Sequence, residues 1–308
     1  MSKIFRNFVL VTSQLQTMYN FYDKYCKILE TLRQFCPETS GLKQVRTPKL
    51  SDIELLAIEF TAESQGIDSE RNLFRQLPPE LSSKIERSVY NRRRRHLFAY
   101  KKQVQSILAD ILNEGEDYYV VDSMPLEVCK LSRSGRSKIC KEDFETAPDK
   151  GYCATQDLYY YGYKFHGVCS IRGVFSSFDL TKASVADIKY LKDIKYDYHD
   201  CKLLGDKGYL SAQYQLDLFE SSNIQLEVPY RLNQKNFKPY PKLLRSKRKR
   251  IETLFSQLCD QFMIRRNYAK SFSGFSTRVL SKITTVTVIQ MINKLNNRNI
   301  NNLKAWAA

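Results

Sequence analysis

Three acids set the chemistry open to this chain. Asp122 ends the β-rich run Tyr118, Tyr119, Val120, Val121 in "EDYYVVDSMPLEV", Asp206 follows the short apolar run of "CKLLGDKGYLS", and Glu252 stands in "RSKRKRIETLFSQL". Carboxylate oxygens are the ligands that hard cations such as Mg²⁺ prefer. Two such cations about 3.5–4 Å apart can activate an attacking oxygen and stabilise the leaving oxygen of a phosphodiester. An acid at a strand end is also a common feature of ordinary turns. Glu252, four residues after Arg248, has the spacing of a plain helical ion pair. The trio says more than any member, because the acids come from separate elements and the third sits among Lys242, Arg245, Lys247, Arg248, Lys249 and Arg250. Such cations offset the repulsion between a carboxylate cluster and a phosphate backbone.

The elements that must position these acids are legible in the periodicity. Residues 1–115 read as helical. "MYNFYDKYCKILETLRQF" places Phe21, Tyr25, Ile28, Leu29 and Leu32 on one stripe, and Ser51 with Glu54 forms a capping box for a helix that stops near Gly66. One long helix is expected over "ELSSKIERSVYNRRRRHLFAYKKQVQSILADIL", with Ile85, Val89, His96, Tyr100, Val104 and Leu108 turned inward. The run "RRRRH" at 92–96 fits either a helix-turn-helix-like DNA module or a plain bundle with a charged face. From residue 116 the period becomes that of strands, with a strand through Asp122 and two more at 163–171 and 173–180 joined by a tight turn at Arg172-Gly173. A helix over "SVADIKYLKDI", the strand before Asp206, a helix capped by Ser211 and a strand "IQLEVPY" follow. Last comes an amphipathic helix whose buried stripe is Ile251, Leu254, Phe255, Leu258 and Phe262. This order argues for one mixed sheet with helices on its faces. Residues 142–162, acidic and then tyrosine-rich, read as an irregular insertion.

Composition narrows the partners. The 308 residues suffice for one large domain or two ordinary ones, and no apolar run approaches the length of a membrane helix. The opening "MSKIFRNFVLVTSQLQ" has one short apolar patch and no small-residue cleavage site, so no signal peptide is expected, and the cytoplasm is the default. Eight cysteines without a C-x-x-C pair and three histidines give no zinc-ligand spacing, and free thiols are expected. The net charge of +16 is concentrated: residues 231–308 hold 17 Lys or Arg against Glu252 and Asp260. Charge gathered in one quarter of a chain is the footprint of a polyanion partner, and "KLNNRNINNLKAWAA" is too polar for a membrane-surface helix.

Four stretches in order, "VVDSMPLEVC", "YYYGYKFHGVCSI", "LLGDKGYLS" and "KRKRIETLFSQL", resemble the DDE transposases of bacterial insertion sequences and look closest to the insertion-sequence 982 family. The resemblance covers roughly 116–265 well and the helical N-terminal region loosely. It implies an α/β, ribonuclease-H-like mixed sheet flanked by helices, preceded by an N-terminal helical domain. The segments are then 1–115 (helical, binding DNA ends), 116–265 (catalytic) and 266–308 (a basic helical tail). It further implies cleavage at the terminal inverted repeats of the element and joining of the 3′ ends to target DNA. The resemblance also implies Mg²⁺ as the cofactor, with Mn²⁺ able to substitute, and a homodimer on double-stranded DNA, nucleoid-associated in the bacterial cytoplasm. Asp122, Asp206 and Glu252 take the catalytic metal-binding roles, 84 and 46 residues apart in turn. Gly205 and Gly208 then shape the turn at Asp206, and Lys207 faces phosphate. Arg133, Arg136 and Lys138, in a loop with small residues between the bases, and Arg245, Lys247, Arg248, Lys249 and Arg250 are the expected DNA contacts. The tyrosine and arginine that precede the glutamate in related families are not clear here; Tyr240, Arg245 and Arg248 are the candidates. His166 reads as a satisfied strand histidine rather than a base. A nuclease of the same fold, or a non-catalytic DNA-binding repressor, are the rival readings.

Overall fold

The computed structural model describes residues 20–42, 46–230, 237 and 239–307; the opening segment and most of the basic loop after Tyr230 lie outside them. Contacts divide the chain into two compact units that interleave in sequence. One takes the described parts of 1–108 with 261–266 and 277–308, the other 109–260 with 267–276. The successive segments 1–115, 116–265 and 266–308 therefore do not coincide with the units, because the chain returns to its first unit after residue 260.

The helical unit contains α1 (residues 20–35), α2 (Asp52–Ser64), α3 (Glu70–Gln76), α4 (Pro79–Ser82), α5 (Arg87–His96) and most of α6 (Phe98–Leu112). The stripe expected on α1 is buried throughout, and the capping box at Ser51 is formed. The single long helix expected over 80–112 is instead three. Pro79 starts α4, and the chain leaves the helix at 83–86 and again at Leu97, which turns His96 outward while Ile85, Tyr90, Tyr100, Val104 and Leu108 stay inside. The expected basic tail is a buried helix in its central part. From Thr277 to Asn293 the last helix, α10 (Phe272–Leu295), is buried at every position. Its hydroxyls make this possible. Thr284, Thr285 and Thr287 donate to the carbonyls of Leu280, Ser281 and Ile283 four residues back, at 2.9, 2.7 and 3.2 Å, so they enter the core without orphan donors.

The sheet unit carries β1 (Tyr118–Cys129), β2 (Asp149–Cys153), β3 (Leu158–Ser170), β4 (Phe175–Lys182), α7 (Leu191–Asp197), β5 (Lys202–Leu204), α8 (Ala212–Ser222), β6 (Gln225–Glu227) and α9 (Lys242–Asp260). Its path runs β2-β3-β1-β5-β6, with β4 paired to β3 beyond β2. β1, β3 and β4 are antiparallel, while β5 and β6 continue from β1 in parallel. The segment 142–162 is irregular only at 142–148 and 154–157; the rest builds β2 and the start of β3. Gly162 is required there, since a Cβ would collide with the Leu126 carbonyl, beside the bulge between Glu127 and Cys129. One sheet face packs Val121, Val168 and Leu203 with Leu191, Ile194 and Leu218 of α7 and α8. On the other, Phe255 of α9 meets the rings of Phe165 and Phe175 at 5.7 and 6.4 Å. Ser211 caps α8 as expected, and the α9 stripe holds for Ile251, Leu254, Phe255 and Leu258; Phe262 falls beyond the helix end but is buried.

Candidate active site

The sheet register places two of the three acids side by side. β1 and β5 pair in parallel as Tyr118–Lys202, Tyr119–Leu203 and Val120–Leu204. Asp122 and Asp206 each lie two residues past the last of these pairs, at the same offset on neighbouring chains that run about 4.8 Å apart. Asp122 does not end its strand, however. β1 continues to Cys129 because its other edge stays paired to β3, with Asp122 opposite Gly167. What ends near Asp122 is the parallel partner, whose pairing with β1 stops at Val120–Leu204.

Backbone N–H groups hold both aspartates. Asp122 Oδ1 accepts from Ser123 N at 2.8 Å, and Asp206 Oδ1 accepts from Gly208 N at 2.7 Å, which caps the short 3₁₀ turn Lys207–Tyr209. Neither Gly205 nor Gly208 needs the left-handed region; both are needed for close approach. A Cβ on Gly208 would sit 2.9 Å from Asp206 Oδ1, and one on Gly205 would press on Val228 and Tyr209.

The third acid arrives from α9, which packs on β1 and β3. Asp122, Met124, Phe165 and Gly167 share the face that α9 covers, by the alternation of the pleat. Burial pushes the Asp122 carboxyl up to about 7; the charges of Asp206 and Glu252 push the same way, against the Ser123 N–H and the Arg248 guanidinium. The three acids thus share one electrostatic neighbourhood. Glu252 itself is exposed at the edge of the α9 stripe. Among the described residues no three acidic, His or Cys side chains are gathered tightly enough to hold a metal ion as they stand. The donor chemistry nonetheless fits a hard divalent cation. Asp122 and Asp206 offer carboxylate oxygens that stand in no lysine or arginine ion pair among the described residues, and Glu252 is an exposed third oxygen donor.

The expected DNA contacts fall into distinct environments. Arg133, Arg136 and Lys138 line one open depression with Cys129 and Ile139, and Lys207 is exposed on the turn after Asp206. On α9, Arg245 and Lys249 are exposed. Lys247 instead lies over the Tyr118 ring, 3.5 Å from its centroid. Arg248 and Arg250 are half-buried. The charge of Arg248 acts on Asp122 and Tyr240 while its Nε is buried with no hydrogen-bond partner; Arg250 acts on Cys169. Tyr240 Oη reaches the Glu227 carbonyl at 3.5 Å.

His166 is turned away from the carboxylates. It pairs with Ser123, so it faces the α7–α8 side, fully buried, with Nε2 2.8 Å from Thr181 Oγ1 and its ring stacked on Tyr190. Burial pushes it down to about 4. In the helical unit, the "RRRRH" run is half internal: Arg93 bonds Asp52 at 2.8 Å and the Leu50 carbonyl at 3.0 Å, and Arg94 pairs with Glu70 at 3.0 Å and Glu59 at 3.6 Å, leaving Arg92 and Arg95 exposed. One residue beside the site escaped sequence reasoning, Asp187. It lies in "SVADIKYL", read simply as helix, and no spacing singles it out.

All eight cysteines are free, and among the described residues no helix is long and apolar enough to cross a membrane. No curated protein matches the chain. Among solved structures, it is similar to one described as "Mos1 transposase paired-end complex with left transposon end", at 11% identity over 82% of each chain with a TM-score of 0.22, a likeness too slight to carry argument. The sequence pattern of the family described as "Transposase DDE domain" matches residues 113–288, more than half of the chain and all three acids of the site. The chain belongs to the DDE transposase domain family.

Proposed function

We propose that this transposase cleaves DNA at the terminal inverted repeats of its own insertion sequence and joins the freed 3′ ends to target DNA, with Asp122, Asp206 and Glu252 as the catalytic acids. The observation that carries this reading is the register pair: two aspartates at equal offset on adjacent parallel strands, one of them buried enough to be pushed up to about 7. Antiparallel strands continued by two parallel ones, with helices on both faces, support the ribonuclease-H-like fold expected from the resemblance. The order and spacing of the four motifs support placement near the insertion-sequence 982 family.

Asp122, Asp206 and Glu252 would hold Mg²⁺, or Mn²⁺ in its place; when bound, the divalent ion supplies charge stabilisation at the phosphodiester and a more acidic attacking water. The rest falls to the chain. Ser123 N and Gly208 N fix one oxygen of each aspartate and leave the other oxygens free. Arg248, half-buried and opposing the charge of Asp122, adds positive charge to the proposed site. Arg133, Arg136, Lys138, Lys207, Arg245, Lys249 and Arg250 track the backbone, positioning DNA without reading its sequence. Lys247 contributes through its packing on Tyr118 as well as its charge. The helical unit, through Arg92 and Arg95, contacts the element ends, and two copies act together on DNA in the bacterial cytoplasm.

The test is a plasmid carrying the DNA that flanks the gene, incubated with Mg²⁺ or with EDTA. Cleaved and rejoined products that need Mg²⁺ support transposition. Nicks without joining favour a nuclease, and mobility shifts without cutting favour a repressor.

A further inference from the structure

Asp187 bonds the residue that supports one aspartate and lies near the residue that supports the other. It opens a 3₁₀ turn, Asp187–Tyr190, that packs on the turn Lys207–Tyr209. Its Oδ1 accepts from Ser123 Oγ at 2.9 Å and pairs with Lys164 Nζ at 3.0 Å; Lys164 also donates to the Val185 carbonyl at 2.7 Å. Ser123 is the residue whose N–H holds Asp122 Oδ1. Asp187 Oδ2 lies on the other side, 3.8 Å from where a Cβ of Gly208 would be, and Gly208 is the residue whose N–H holds Asp206 Oδ1. One carboxylate thus fastens the β1 donor, is anchored to β3 through Lys164, and abuts the donor after β5.

We propose that Asp187 is a positioning residue that sets the orientation of the Asp122 and Asp206 carboxylates by fixing the two peptides that hydrogen-bond them. It does not need to touch a cation or DNA. Pleating sends its partner Ser123 to the opposite sheet face from Asp122, so Asp187 acts from below the site. A Lys164–Asp187 ion pair serving stability alone would leave the two N–H groups indifferent to its loss. Groups that orient ligating carboxylates typically alter metal affinity about 10- to 100-fold when removed. This part of the inference rests on the proposed metal-binding role of Asp122 and Asp206, and the test separates the two.

The experiment uses the full chain. Amide hydrogen exchange is followed at Ser123 and Gly208, with Val120 and Val168 as references in the same strands, and Mn²⁺ binding is titrated by paramagnetic resonance. Asp187→Ala is expected to speed exchange at Ser123 and Gly208 by about tenfold or more, with the references unchanged, and to weaken Mn²⁺ binding by at least about tenfold. Asp187→Asn, whose amide oxygen still accepts from Ser123 Oγ, should restore slow exchange at Ser123. Lys164→Met should leave Ser123 protected. Unchanged exchange at both amides in Asp187→Ala overturns the proposal, as does a uniform rise at all four, which would mark a purely structural ion pair. Mn²⁺ binding that survives Asp122→Ala would instead remove the metal-binding role of the pair, while the exchange result still decides the role of Asp187.

Discussion

The two units treat buried acids in opposite ways. In the helical unit Glu59 is fully enclosed, yet it meets Lys101 Nζ at 2.7 Å, Arg94 at 3.6 Å and the Ser281 hydroxyl at 2.5 Å. Burial alone would raise its pKa, but Lys101 and Arg94 overcome it and hold the carboxyl below its ordinary range. Glu63 with Lys282, and Glu70 with Arg278 and Arg94, extend the network. In the sheet unit Asp122 gains only one backbone N–H and the opposing charge of the Arg248 guanidinium, while Asp206 and Glu252 add to its difficulty. Neutralised acids are architecture. Acids held together without neutralisation leave room for a cation the protein does not itself supply.

Substitutions should break this contrast cleanly. The largest effect is expected on chemistry. Asp122→Ala, Asp206→Ala and Glu252→Ala should each lower cleavage on the order of a thousandfold, as loss of a main electrostatic stabiliser does, while gel shifts with end DNA persist. Near-wild-type cleavage in Asp206→Ala would remove Asp206 from the site.

Next is stability. Glu59→Ala leaves Lys101 buried without its acid and Arg94 with Glu70 alone, and should cost roughly 3–5 kcal/mol in urea unfolding. A loss below about 1 kcal/mol would mean that the helical network is not what holds its charges.

The arginine run sharpens the comparison further. Arg93→Ala and Arg94→Ala should act through folding, lowering the unfolding midpoint, because both side chains are bonded inside the unit. The pair Arg92→Glu and Arg95→Glu should keep the midpoint and weaken end DNA more than random DNA. Equal loss on both DNAs would remove sequence reading from this helix. The smallest effect is that of single phosphate contacts. Charge reversal at Arg245 and Lys249 should weaken end and random DNA alike and flatten the log-log salt dependence by about 0.9 per lost contact; an unchanged slope makes them a solvated face.

The candidate acids were singled out by residue type and setting, and the 84 residues from Asp122 to Asp206 equal the register offset that the structure gives β1 and β5. The hydrophobic period likewise reported the buried stripes of α1 and α9. What could not be read depends on partners remote in sequence. β2 and the start of β3 hide in tyrosines and acids whose strand character comes from pairing. Arg94 looks like surface charge until Glu59 and Glu70 stand beside it. The last helix reads as polar because its threonines satisfy themselves. Asp187 carries no signal, since its meaning lies in Ser123 and Gly208, 64 residues before and 21 after it.

The most direct test of the central claim, that Asp122 is held for a divalent cation, is the difference in stability between wild type and Asp122→Asn across pH, with and without Mg²⁺. A carboxyl raised to about 7 keeps its proton in the folded state and loses it in the unfolded state. Metal-free wild type should therefore lose stability relative to Asp122→Asn as pH rises from about 4 through 7, levelling above that. The difference should reach on the order of 2–4 kcal/mol at pH 8, since each tenfold rise in proton affinity on folding is worth about 1.4 kcal/mol. Saturating Mg²⁺ at pH 8 should then raise the melting temperature of wild type and leave Asp122→Asn nearly unmoved. Equal gains in both proteins, or a stability difference flat across pH, would contradict it.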